Sequence, residues 1–206
     1  AERVGWLARP AFGGLAAVWA QSQADADRLR QLGAPVQGIF GNVKFDATPD
    51  TAQIAQGRAW CAAGGRPVVM LASAREGEEA EFLAALKRFM PPAPAVHTQA
   101  APDLVASHAA GPVQWLIVPR HPQRFDEVAA LVQQHGFSVS RRSSWGQGAA
   151  PAVADVWLGD SMGEMALYYG LGHVALLGGS FAPLGGQNLI EAAACGCPIV
   201  TGPSVF

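Results

Sequence analysis

Pro119-Arg120-His121-Pro122 sets a guanidinium beside an imidazole, between two prolines that stiffen the loop. Arg120 can clamp a phosphate or carboxylate with two parallel hydrogen bonds, and His121 can donate to the same group. A solvent-facing arginine beside a loop histidine fits the same four residues equally well. Downstream runs Gly178-Gly179-Ser180-Phe181-Ala182-Pro183-Leu184-Gly185-Gly186-Gln187-Asn188, in which glycines let backbone N–H groups approach a ligand closely. The spacing matches neither the dinucleotide Gly-x-Gly-x-x-Gly fingerprint nor a phosphate loop ending in Gly-Lys-Ser/Thr. Asn188 and Glu191 follow at what reads as a helix start. There free amides favour an anion, and an acid one turn in can hold sugar hydroxyls. The plainer reading is a capping Asn188 and a Glu191 that complements the helix dipole. Asp160-Ser161-Met162-Gly163-Glu164 opens another expected helix, whose amides can meet a base edge or an anion, or be capped by Asp160 or Ser161.

Other candidates carry less. Ser73 with Glu76, Glu78 and Glu79 reads as an acid-rich helix entry, Glu79 on its solvated face. Lys44, beside Gly41 and Asn42, reads as a phosphate partner or a hinge cation. His97, His108, His135 and His173 lack partners at ligand spacing, and neither a metal site nor a Ser/His/Asp order stands out. Cys61, Cys195 and Cys197 suit neither a disulfide framework nor zinc, and are expected to be small buried hydrophobes in a reducing compartment.

The elements that must position these residues alternate between apolar runs and amphipathic helical patterns. Strands are expected at 15–20, 36–40, 68–72, 114–118, 138–142, 153–158 and 173–177, with another ending at Gly202-Pro203. Helices are expected at 23–32, from Thr48-Pro49-Asp50 to about 62, from 79 through 89, at 124–135 and at 162–169. Residues 91–111, rich in Pro and Ala, and residues 143–151 read as loops. Strand-loop-helix recurs after Asp46, which predicts a doubly wound, Rossmann-like parallel α/β sheet. In such a sheet ligands gather at the carboxyl ends of the strands, and the polar loops above all follow strands.

Of 206 residues, 50% are hydrophobic and 15% charged, with a net charge of −2. That is ample for a core and gives no reason to expect nucleic acid as a partner, which needs concentrated Lys and Arg. No apolar run approaches the roughly 20 residues that span a bilayer. The first residues lack the layout of a signal peptide, and the chain reads as a fragment of a longer protein.

In order and spacing, the motifs resemble the 3-deoxy-D-manno-octulosonic acid (Kdo) transferases of Gram-negative bacteria. The resemblance rests on Ala20-Gln21-Ser22 with Asp25, Arg28 and Leu32-Gly33-Ala34, then Gly41-Asn42-Val43-Lys44-Phe45-Asp46, then Ala72-Ser73 with Gly77-Glu78-Glu79. It continues through Pro119-Arg120-His121-Pro122 with Arg124-Phe125, Asp160-Ser161-Met162-Gly163-Glu164, Gly178-Gly179-Ser180, Gly185-Gly186-Gln187-Asn188, Glu191 and Gly202-Pro203. It implies a two-domain GT-B glycosyltransferase that moves Kdo from CMP-Kdo to a lipid A precursor (lipid IVA) in lipopolysaccharide synthesis, with inversion and without metal or cofactor. The division implied is 1–40 for the end of an N-terminal acceptor domain and its connection, and 41–206 for a truncated CMP-Kdo-binding domain. Arg120, His121, Met162, Gly163, Glu164, Gly179, Ser180, Gly186, Asn188 and Glu191 then surround the donor, with Lys44 and Ser73 as further candidates. The general base belongs to the missing half, so the fragment alone is expected to be inactive. The acceptor and the cytoplasmic face of the inner membrane are likewise met through missing parts. Ser73-Ala74-Arg75 stands where the family has Ser-Thr-His, and Gln187 where it commonly has His.

Two other readings compete. A UDP-sugar transferase or UDP-sugar 2-epimerase would share the glycine loop and acidic helix start, and would prefer UDP to CMP. A non-catalytic α/β binding domain would leave transfer by the parent protein indifferent to Arg120→Ala and Glu191→Ala.

Overall fold

A computed structural model describes residues 5–46, 48–89, 113–146 and 151–205. The expected loop at 91–111, with His97 and His108, lies outside the described residues. The chain divides into two compact units, residues 1–47 and 48–206.

In the first unit, helix α1 (Gly5–Gly13) precedes strand β1 (Val18–Ala20), helix α2 (Gln23–Gln31) and strand β2 (Val36–Ile39). β1 and β2 pair in parallel. Ser22 caps α2 by accepting from the Asp25 amide, as Ser at an N-cap does. Lys44 lies on a 3-10 turn, Val43–Asp46, where its amide donates to Asn42 Oδ1 at 3.0 Å. The sequence pattern did not indicate α1, which carries Pro10 inside it.

The second unit holds helix α3 (Thr51–Gly64), strand β3 (Val68–Ala74), helix α4 (Glu78–Phe89), strand β4 (Gln114–Pro119) and helix α5 (Phe125–Gln134). Strands β5 (Val139–Arg141) and β6 (Val156–Leu158), helix α6 (Met165–Leu171), strand β7 (Val174–Leu177), helix α7 (Ile190–Ala194) and strand β8 (Ile199–Val200) follow. The strands form one parallel sheet in the order β5-β6-β4-β3-β7-β8. One apolar cluster gathers Ile54 and Trp60 of α3 with Leu167, Tyr168 and Leu171 of α6. A second gathers Leu83 and Leu86 of α4 with Val128 and Val132 of α5. Residues of β3 divide between the two, Met70 and Ala72 in one and Leu71 and Ala74 in the other. Alternate side chains of a strand point to opposite faces, so helices cover both faces and the doubly wound sheet stands.

Helices α3 and α6 touch through glycine. A Cβ on Gly57 would lie 2.3 Å from the Leu167 carbonyl oxygen, and one on Gly170 2.6 Å from that of Ile54. Only hydrogen at these positions permits backbone-to-backbone approach.

Chain order and sheet order together locate the ligand edge. From β3 the chain goes to β4 on one side, and from β7 to β8 on the other. The crevice between the carboxyl ends of β3 and β7 is therefore the topological switch point.

Several boundaries move from their expected places. β1 begins at Val18 rather than 15, and β6 at Val156 rather than 153. Before β6, the Ala152 carbonyl accepts from Trp157 Nε1, and the Asp155 carboxylate takes the amide and hydroxyl of Ser138. α6 begins at Met165, three positions later than expected, and Glu164 stands at its N-cap without a capping hydrogen bond. Neither Asp160 nor Ser161 caps it, because both side chains are engaged elsewhere. Among the described residues, no helix is long and apolar enough to cross a membrane. The three cysteines are free, Cys195 and Cys197 buried and Cys61 half-buried. Burial pushes all three thiols up.

Candidate donor-binding edge

Strand β3 ends in a distortion. Its register against β4 shifts between Ala72 and Ala74, and Ser73 between them has φ +54°. It is the one non-glycine residue with positive φ among those described, a conformation that costs of the order of 1 kcal/mol or more and clusters at functional sites. The Ser73 carbonyl turns against β7, where a Cβ on Gly178 would lie only 2.4 Å from it. Ser73 and Gly178 thus fit together at the switch point.

The next residues invert the sequence expectation for the acids. Glu78 is 5% exposed, and its carboxylate accepts from the Gly179 amide at 2.8 and 2.7 Å and from the Arg75 amide at 2.9 Å. The Gly179 amide, expected to face a ligand, is already satisfied by a carboxylate of the protein. Ser180 is fully buried: its hydroxyl donates to the Leu177 carbonyl and accepts from the Gly202 amide at 2.9 Å. Gly179 and Ser180 therefore shape the loop from within. Gly186 joins them through its amide, which donates to the Gly179 carbonyl at 2.8 Å.

Glu79 does not lie on a solvated face. It is 0% exposed, with Arg124 Nη2 3.4 Å away. Burial drives its carboxyl up, against the opposing pull of its backbone hydrogen bond and of Arg124. Arg124 also reaches Glu127 at 3.2 Å and Glu76 at 3.8 Å. Consecutive acids at the start of α4 thus pull in two directions, Glu78 to the loop after β7 and Glu79 to the loop after β4.

That second loop carries Arg120 and His121. Its backbone is tied to β3 by the Arg120 amide, which donates to the Ala74 carbonyl at 2.9 Å. Both side chains are exposed, and among the described residues neither makes a hydrogen bond or an ion pair. Across the edge, Asn188 accepts from the Ile190 amide at 3.1 Å, and Glu191 is exposed on the first turn of α7. Tyr169 of α6 is buried. Burial first, then the charge of Glu191, raise its pKa, while Arg120 pulls it the other way.

Past β6, a polar network builds residues 160–164. Burial would raise the Asp160 carboxyl, but two hydrogen bonds from Ser143 (amide 2.8 Å, hydroxyl 2.6 Å) and one from Arg141 Nε (2.7 Å) hold it below the usual range. The Glu164 carboxylate accepts from Arg142 at 2.7 Å and from the Ser161 hydroxyl. Arg142 in turn lies over Trp60 and Trp145, 5.6 and 5.7 Å from the ring centroids, within cation–π range. Glu164 is consequently an anchor. Met162 projects, 69% exposed, and the Gly163 carbonyl accepts from Gln53 Nε2 at 3.0 Å.

The candidates therefore form two sets. Arg120, His121, Met162, Asn188 and Glu191 stand open at the carboxyl edge of the sheet. Ser73, Gly163, Glu164, Gly179, Ser180 and Gly186 hold the surrounding loops. Lys44 belongs to the other unit. Glu78, Arg124 and Arg142 were missed as organisers. For Glu78 a signal existed, tandem acids in a chain with a glycine loop; for Arg142 none did, because Trp60 lies far away in sequence. A cavity of about 580 Å³ lies at the opposite edge, lined by Pro67, His173 and Pro198, which precede β3, β7 and β8. Tyr169 and Cys195 line it as well.

The fold is a doubly wound α/β domain whose candidate residues gather at the switch point of its sheet. Comparison with known proteins gives the family. Residues 1–47 match the family model for the N-terminal part of 3-deoxy-D-manno-octulosonic-acid transferase. The whole chain is 46% identical to the 3-deoxy-D-manno-octulosonic acid transferase of Bordetella pertussis over 208 aligned residues, 100% of this chain and 45% of that protein. The Haemophilus influenzae enzyme of the same name is 31% identical over 91% of this chain and 40% of its own length. Among solved structures, the C-terminal CMP-Kdo binding domain of WaaA from Acinetobacter baumannii superposes with a TM-score of 0.60 at 33% identity, covering 76% of this chain and 74% of that one. The chain belongs to the 3-deoxy-D-manno-octulosonic acid transferase family. It spans less than half the length of these curated relatives.

Proposed function

We propose that the second unit is the donor half of a GT-B glycosyltransferase, binding CMP-Kdo at the carboxyl edge of its sheet. Arg120 and His121 face the donor's anionic groups, Asn188 and Glu191 its hydroxyls, and Met162 its base, on a turn that Gly163 and Glu164 hold. The observation that carries this reading is the likeness to the CMP-Kdo binding domain of WaaA. It is supported by exposed Arg120, on the loop after β4, and exposed Glu191, on the first turn of α7.

The chemistry this half supplies is electrostatic. When the bond from Kdo to the phosphate of CMP breaks, negative charge collects on the leaving phosphate. A guanidinium already in place stabilises that charge more in the transition state than in the ground state. The general base that takes a proton from the acceptor hydroxyl belongs to the N-terminal half. So do the lipid A precursor site and the contact with the cytoplasmic face of the inner membrane. The division at residues 40 and 41 into acceptor-domain end and donor domain belongs to the same proposal.

The test is release of CMP by the full-length protein given CMP-Kdo and a lipid A precursor. Acceptor-dependent CMP release is expected. Release that ignores the acceptor, or transfer from a UDP-sugar instead, overturns the reading.

A further inference from the structure

We infer that Glu78 is a positioning residue for the donor loop: its carboxylate fills an amide nest at the mouth of β7 and holds residues 178–188 in their ligand-receiving shape. The inference rests on the donor reading above and extends it to a residue that faces no ligand. Backbone amides directed at one point bind an anion. Here the amides of Gly179 and Arg75 converge on the Glu78 carboxylate at 2.7–2.9 Å, and they come from opposite sides of the switch point. Gly179 is then tied to Gly186 through the bond from the Gly186 amide to its carbonyl. Displacement at Gly179 therefore carries along the strand-to-helix loop ending at Asn188. Charge-assisted hydrogen bonds in a buried place are the strong ones, and an amide left without its acceptor is costly.

A second observation makes the carboxylate replaceable. Glu78 borders an apolar cavity of about 250 Å³, with Leu71, Glu81, Phe82, Leu176 and Phe181 as its other walls. Trimming Glu78 to alanine opens the nest toward that cavity, through which formate can enter and take up the same amides.

The experiment uses the full-length protein. Hydrogen exchange of the peptide spanning residues 175–182 reads the nest without any donor, and titration with CMP reads its consequence. In Glu78→Ala, the Gly179 region is expected to lose protection and the CMP dissociation constant to rise about tenfold, the scale of one charge-assisted hydrogen bond. Formate is expected to restore both. In Glu78→Gln, which keeps the side-chain volume and fills the nest, protection falls and formate restores nothing. This variant serves if the alanine form does not fold. Unchanged protection in a folded variant, no formate rescue in folded Glu78→Ala, or an unaltered CMP affinity overturns the inference. If the unmodified protein binds no CMP, the donor reading falls, and the exchange result still supports or overturns the Glu78 nest.

Discussion

Arg120 and Arg124, four positions apart, show how surroundings divide one residue type between two tasks. Arg124 is 8% exposed and paired with Glu79, so it joins loops. Arg120 is exposed and has no carboxylate partner among the described residues, so its charge remains available. Arg120→Ala is therefore expected to weaken CMP binding about 10- to 100-fold, the value of a hydrogen bond to a charged group, while the melting temperature stays put. Calorimetry and a thermal melt on the same sample check both halves. Asp160 behaves oppositely. Its carboxyl is held low in the folded chain by Ser143 and Arg141, against the effect of burial. Its contribution to stability is therefore present above the unfolded pKa of about 3.9 and is lost as pH falls through the lower folded value. Denaturant titrations below about pH 5 should show a shallower acid loss for Asp160→Asn than for the unmodified protein.

At the scale of elements, the tightest constraint is the glycine contact between α3 and α6. Gly57→Ala or Gly170→Ala drives a methyl group into backbone at 2.3 or 2.6 Å. Each is expected to destabilise the second unit by about 3 kcal/mol, at the upper end for overpacking, read as a lower denaturant midpoint at unchanged slope. Those helices were legible in sequence, since Asp50 before α3 and the apolar pattern of residues 162–169 announce them, but their contact was not. Alternation of strands with helices predicts the parallel sheet, because apolar runs bounded by turn residues have few other uses. The boundaries around 160–165 escaped. An Asp-Ser-Met-Gly-Glu string looks like a capped helix until Arg141 at the end of β5 and Arg142 and Ser143 just after it claim its side chains. Likewise, nothing local tells that Glu79 turns inward to Arg124, 45 residues on. The exposed candidates Arg120, His121 and Glu191 stand out in the sequence because they follow a strand or begin a helix. The residues holding the loops were not, because their partners are set by tertiary packing.

For the molecule as a whole, loops after adjacent strands meet at one edge: an ion pair joins those after β5 and β6, another joins those after β4 and β3, and a carboxylate nest joins those after β3 and β7. Loops held to one another in this way suit the proposed charge-stabilising role better than a site that folds around its substrate. The chain covers 45% of its Bordetella pertussis relative, and in the proposed division of labour acceptor chemistry falls to the rest of the protein. The proposed donor edge reads a cytidine monophosphate sugar. Calorimetric titration of the full-length protein with CMP, CMP-Kdo and UDP tests that most directly. Saturable binding of CMP and CMP-Kdo, weakened by Arg120→Ala and with UDP weaker than CMP, is the result predicted. Heats that do not saturate with either cytidine ligand, or a preference for UDP, would contradict it.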